Sequence, residues 1–204
     1  MSQNTSTAVM VQRTEPRDSL DDFPTPPWAT RALCKWMAKR WPIDLLAVWD
    51  PACGRGHMTL ALGEYFGASL ASDIHDYGVG MDVEDFLKKD PLPEVVNWII
   101  TNPPFRLAAE FYERAVKWNC GIALLCRTVF LESVGRYERI FKDHPPIVLP
   151  FAERVPMVKG RLDPNISSAT AYAWFVWPPI ADHGGVVEWI PPCRKRLERP
   201  EDYA

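Results

Sequence analysis

No stretch of this chain reaches the about 18 to 20 consecutive apolar residues of a membrane span, because proline or charge interrupts every run. Nor is a signal peptide expected. Met1 to Asp22 is rich in Ser, Thr, Gln, Asp and Glu, has only the short apolar run Ala8 to Val11, and reads as a flexible tail. There is no C-x-x-C pair: Cys34, Cys53, Cys120, Cys126 and Cys193 are odd in number and scattered. That argues against a disulfide framework and a zinc site, so no metal is expected and a reducing cytoplasm fits best. Positive balance is lacking as well. With a net charge of -3 the whole surface is no polyanion trap, and any nucleic-acid contact has to come from a local basic face. Repeats and low-complexity blocks are absent. The 204 residues, 47% of them hydrophobic, suffice for one core, so residues 23–204 are expected to form a single domain.

What is present is an ordered alternation of elements. Phe23-Pro24-Thr25-Pro26-Pro27-Trp28 leads into a helix from about Ala29 to Arg40, with Leu33, Trp36 and Met37 on one face and Trp41-Pro42 as its stop. Leu45 to Trp49 is a short strand closed by Asp50-Pro51 and a glycine turn, and His57 to Phe66 has helical spacing. Ala68 to Ser72 is a second strand with Asp73 at its end, and Val96 to Thr101 a third. Leu107 to Trp118 is an amphipathic helix, Gly121 to Cys126 a fourth strand, and Ser133 to Lys142 another helix. Beyond Pro146, Ile147 to Phe151, Val155 to Lys159 and Ala171 to Trp177 read as strands. Such alternation demands a parallel α/β sheet covered on both faces, with ligands at the carboxyl ends of the strands, and the last strands add an antiparallel hairpin at one edge. Trp49, Trp98, Trp174 and Trp177 are expected in the core from their apolar surroundings rather than as base-stacking rings, whereas Trp28, near the ligand entrance, stays open as a stacking residue.

Three segments carry chemistry. Asp50-Pro51-Ala52-Cys53-Gly54-Arg55-Gly56 puts a glycine turn between strand and helix, where a ligand can approach the backbone and the unpaired N–H groups of a helix start. The third glycine of a dinucleotide loop is missing, Thr59 standing there, and no G-K-[ST] follows, which disfavours NAD, FAD and nucleoside triphosphates. Asp73, with Ile74 beside it, comes about twenty residues after the turn, where an acid can accept both ribose hydroxyls of an adenosine. Asp85-Phe86 offers a carboxylate and an aromatic face for an adenine, with Asp76 and Asp82 as nearby alternatives. The most specific segment is Asn102-Pro103-Pro104-Phe105, directly after a strand. Its prolines fix the chain, its amide oxygen and a proline carbonyl can accept both hydrogens of an incoming amine, and Phe105 can stack on a planar acceptor.

At these residues the chain resembles the amino-methyltransferases of the DNA adenine type, over roughly residues 23 to 130. The resemblance implies a Rossmann-like class I methyltransferase fold, with a mostly parallel seven-stranded sheet, helices on both faces and an antiparallel C-terminal hairpin. It implies S-adenosylmethionine as cofactor: Asp50, Gly54 and Gly56 at its methionine part, Asp73 at the ribose, Asp85 and Phe86 at the adenine. Thr25-Pro26-Pro27 is similar to the segment that closes over the methionine end. Asn102 and Pro103 would bind the target amine, and Phe105 would stack the base.

The chain departs from that family in having little room for a target-recognition region. Two strands and their crossover fill the span from Gly56 to Asn102, and the stretch after Pro150 is short. Recognition is therefore economical, loose, or supplied by a protein partner or homodimer. Candidate DNA contacts are Arg106, Arg127, Lys159, Arg161 and the run Arg194-Lys195-Arg196. A stacked adenine cannot reach the pocket, so base flipping or a single strand is required. Two further readings stay open: a protein glutamine-amide or other amine N-methyltransferase, and a non-catalytic cofactor-binding regulatory protein. A phage or mobile-element setting is suggested by the resemblance alone.

Overall fold

Seven strands form one sheet in the computed structural model, which describes residues 21–90, 93, 95–166, 168–179 and 184–203. The tail expected over Met1 to Asp22 lies outside the described residues, apart from Asp21 and Asp22. The strands are β1 (Ala47–Asp50), β2 (Ala68–Asp73), β3 (Asp82–Val83), β4 (Trp98–Thr101), β5 (Gly121–Arg127), β6 (Ile147–Pro150) and β7 (Tyr172–Trp177), in the order β3-β2-β1-β4-β5-β7-β6. The first five pair in parallel. β7 runs antiparallel to both β5 and β6, so it alone reverses direction. The expected hairpin is thus present, with its second strand inserted next to β5 and its first strand outside.

β1, β4 and β7 are buried along their whole length, and β5 up to Arg127, as strands covered on both faces must be. Alternate residues serve opposite faces. Val48, Trp98, Ile100, Leu125 and Trp174 pack against α1 (Pro27–Met37) and α2 (His57–Gly63) through Leu33, Met37, Met58 and Leu62. Trp49, Ile99, Ile122, Leu124 and Phe175 meet Phe111, Tyr112 and Ala115 of α3 (Ala108–Ala115) on the other side. Among the described residues no helix is long and apolar enough to cross a membrane, and all five cysteines are buried and free.

Several expectations are corrected in detail. The first helix starts earlier than Ala29, since Pro27 sits in its first turn, where a fixed φ and a missing N–H do no harm. Val155 to Lys159 is not a strand: Pro156 lacks a ladder donor, and a single bridge, Val158 to Arg161, is all that forms. The helix expected over Ser133 to Lys142 is one turn, α4 (Val134–Arg136), that widens into a π-helix over Tyr137–Phe141. Trp28 offers no stacking face; it is fully buried against Phe151.

The C-terminal segment closes over α1. After α5 (Arg194–Leu197), the Leu197 carbonyl and the Asp202 carboxylate accept hydrogen bonds from the buried Arg31, whose Nε and Nη2 also reach Glu64. Burial alone would lower the Arg31 pKa, but the bonds to Asp202 and Glu64 more than offset it and hold the guanidinium charged. Arg194 is paired with Glu198 and the Pro164 carbonyl, so the basic run expected as a DNA contact serves partly to fasten this segment.

Candidate active site

β1, β2 and β4 lie side by side and parallel, so Asp50, Asp73 and Asn102 come together at their carboxyl ends although the sequence separates them. They border one cavity of about 330 Å³, a size suited to a small-molecule ligand. Of the residues expected to hold a cofactor, Thr25, Asp50, Pro51, Ala52, Gly54, Asp73, Ile74, Asp85 and Phe86 all line it, together with Asn102 and Pro104. Pro26 and Gly56 do not: the first precedes α1 and the second starts α2. Pro103 and Phe105 also stand outside its lining.

The β1–α2 loop turns in a tight space. Gly54 and Gly56 take φ of +54° and +83°, in the left-handed region that favours glycine. The Gly54 N–H donates to Asp73 Oδ2 at 2.9 Å, and the His75 N–H to Oδ1 at 2.9 Å. Asp73 is thereby held rigid on the cavity wall, and each carboxylate oxygen keeps a lone pair for a further donor. Asp85 accepts from the Leu87 N–H at 3.1 Å and pairs with the exposed Lys88, while Phe86 is deep in the core, stacked on Phe111 at 4.7 Å between centroids. Phe86 therefore meets the cavity as part of the core.

Two of the lining residues carry a buried side-chain acceptor. Asp50 is almost wholly enclosed: the Thr59 hydroxyl donates to its Oδ2 at 3.2 Å, and the Thr101 hydroxyl and the Ala52 N–H lie against the carboxylate and favour its charged form. Burial pushes its carboxyl up to about 7, with nearby Asp73 adding in the same direction. The second is Asn102 Oδ1. Its orientation is set by Nδ2, which donates to the Phe23 carbonyl at 2.9 Å. An amide whose donor end is anchored in protein and whose acceptor end is buried and unspent is prepared for an incoming N–H.

Sequence reasoning missed the start of the described chain. Asp21 to Pro24 line the cavity too. Asp21 Oδ2 accepts from the Phe105 N–H at 2.7 Å, the Asp22 carbonyl accepts from the Gly160 N–H at 2.8 Å, and the Phe23 ring lies 5.4 Å from that of Phe105. Their polar composition resembles a tail, and the one local hint was Phe23-Pro24 adjoining Thr25. Tyr77, His57 and Cys53 are further lining residues. Burial raises the Tyr77 hydroxyl and the Cys53 thiol to about 12 each, and burial lowers His57, which favours its neutral ring.

The basic candidates separate in space. Arg106 is exposed directly after the Asn102-Pro103-Pro104-Phe105 tetrad. Lys159 borders a second, open cavity of about 370 Å³ with Arg55, His75 and Tyr77, and both cavities share Asp22, Arg55 and Tyr77. Arg161 pairs with Asp163 at 3.4 Å. Arg127, at the end of β5, places its guanidinium carbon 4.0 Å from the centre of the Phe105 ring.

No family model matches this sequence, and no curated protein is significantly similar to it. Solved structures are similar in fold. The methyltransferase subunit of a type I restriction-modification system from Streptococcus thermophilus superimposes with a TM-score of 0.62 at 12% identity, over 89% of this chain and 50% of that one. A modification subunit ascribed to a type I restriction enzyme of Vibrio vulnificus gives 0.55 at 16% identity, over 90% and 50%. A protein of Pyrococcus horikoshii ascribed to the RNA methyltransferases gives 0.59 at 14%, over 80% and 90%. The chain thus spans about half the length of the two restriction-system subunits. Its fold is that of the Rossmann-like methyltransferases.

Proposed function

We propose that this protein transfers a methyl group from S-adenosylmethionine to the exocyclic amino nitrogen (N6) of adenine in DNA, in the cytoplasm. The observation that carries the reading is the buried, unpartnered Oδ1 of Asn102, a residue that lines the cavity also bordered by Asp50, Gly54, Asp73 and Asp85. The donor set fits the cofactor: Asp50 offers a buried carboxylate for the ammonium group, Asp73 has lone pairs for ribose hydroxyls, and Asp85 stands by for the adenine amine. When bound, the cofactor supplies an electrophilic methyl group on a sulfonium sulfur.

The chain itself contributes binding, orientation and exclusion of water. Asn102 Oδ1 and the Pro103 carbonyl accept the two amino hydrogens, which holds the nitrogen lone pair toward the methyl donor. No strong base is needed, because the amine becomes acidic as its new N–C bond forms and its proton then leaves to water. Phe105 stacks the flipped base once its present neighbours make room. Arg106, Arg127, Lys159 and Arg161 are the proposed acceptor contacts, and a specificity-giving partner or a homodimer completes target selection. The acidic Asp21 and Asp22 at the rim favour, as a second reading, a basic protein acceptor methylated on a glutamine amide or another amine.

Purified protein incubated with tritiated S-adenosylmethionine and unmethylated duplex DNA, beside the Asn102→Ala variant, tests the proposal. Label in N6-methyladenine that disappears in the variant supports it. Transfer to protein but not to DNA would move the assignment to the second reading, and cofactor binding with no transfer at all to a regulatory role.

A further inference from the structure

We infer that Arg127 is the phosphate anchor of the acceptor nucleotide and keeps the stacking face of Phe105 covered until that nucleotide arrives; this rests on the DNA reading above. The guanidinium is a flat cation, and at 4.0 Å from the Phe105 centroid it occupies the place a stacked base would take. It is half-buried at the end of β5, and its Nε is buried with no acceptor. Among the described residues no carboxylate pairs with it. Of the other enclosed arginines, Arg31 is spent on Asp202 and Glu64, Arg194 on Glu198 and Arg136 on the carbonyls of Val129, Phe130 and Glu132, while Arg114, whose Nε also lacks an acceptor, has Asp90 at 3.9 Å as a counter-charge.

A half-buried cation without a counter-charge is costly to keep, and the ring quadrupole compensates it only in part. Its position beside the acceptor site fits an anion that comes with the substrate. A flipped nucleotide brings one: its base takes the Phe105 face and its phosphate meets the displaced guanidinium, whose forked donors suit phosphate oxygens. The cation is thereby exchanged from an aromatic face to a phosphate, and the base from its stack in the duplex to the vacated ring.

The test compares wild type, Arg127→Gln (a planar side chain without charge) and Arg127→Lys (charge without the fork). Methyl transfer to mixed-sequence duplex DNA and DNA affinity are followed over a salt series, with cofactor affinity measured alongside. For Arg127→Gln, KM for DNA rises about tenfold, kcat falls by a smaller factor, and the slope of log affinity against log salt decreases by about one. Arg127→Lys retains the wild-type slope. Cofactor affinity in both variants stays within about twofold of wild type, which a loss of structure would not allow. An unchanged salt slope and KM in Arg127→Gln, with wild type active on DNA, overturns the inference and leaves the proposed function standing. A wild-type protein that labels no DNA overturns both, and the wild-type reaction by itself reveals that case.

Discussion

Replacing Asn102 by alanine separates activity from stability in a way that can be worked out from its contacts. The amide makes a hydrogen bond to the Phe23 carbonyl, worth about 1 kcal/mol. Its Oδ1 is buried without a donor, which costs the folded protein about 1 to 3 kcal/mol. Removing both groups leaves stability between about that of wild type and about 2 kcal/mol above it, and in a chain of this size the melting temperature shifts by roughly 0 to +8 °C. Catalysis moves the other way. The loss of one preorganised hydrogen-bonding group aimed at the reacting atoms costs about 100- to 1000-fold in rate. Single-turnover methyl transfer to duplex DNA and a thermal melt on the same preparation measure the two quantities. A rate within about tenfold of wild type would refute the role given to Oδ1. A melting temperature lowered by more than about 8 °C would show that the amide serves the fold instead.

Asp50 ties stability to pH. Its carboxyl titrates near 7 in the folded protein and near the ordinary value of about 3.9 when unfolded, so the folded state holds the extra proton between them. Stability therefore falls by up to a few kcal/mol as pH rises from about 4 to about 7 and levels off above; Asp50→Asn abolishes that slope in urea denaturation, and an unaltered slope would place its origin elsewhere. Cofactor binding near pH 6 should release a proton from Asp50, seen as a dependence of calorimetric heat on buffer ionisation enthalpy; equal heats in all buffers would contradict the pairing with the cofactor ammonium. Arg31→Met strands the Asp202 carboxylate, whose side chain is only 4% exposed, and costs about 3 to 5 kcal/mol in denaturant unfolding; a loss under about 1 kcal/mol would mean the C-terminal segment does not depend on this network. Gly121→Ala sets a methyl 2.4 Å from the buried Trp98 ring and destabilises by about 1 to 3 kcal/mol, again read in denaturant; a neutral result would show that the ring can yield.

Much of the architecture was legible in the chain order. Apolar runs such as Gly121 to Cys126, and acids or an amide placed where such runs stop, announced parallel strands with Asp50, Asp73 and Asn102 at their carboxyl ends. This worked because periodicity, glycine turns and prolines act within a few residues, at the range over which a sequence can be read directly. Pro156 spoiled one such reading, since a single missing donor outweighed an otherwise strand-like pattern. Trp28 spoiled another, because proximity to a site along the chain says little about which way a large ring turns when the core needs filling.

By itself, then, the sequence determined the alternation of strands and helices, the glycine turn after β1 and the Asn102-Pro103-Pro104-Phe105 segment, all of which follow from local backbone preferences. Tertiary structure alone decided that β7 inserts between β5 and β6, that Asp21 and Phe23 reach the tetrad, and that Arg127 lies on Phe105. These contacts join segments far apart in the chain: Asn102 meets the carbonyl of a residue 79 positions away. Such meetings are fixed by how buried surfaces fit together and how buried polar groups find partners, and no short window of residues contains that information.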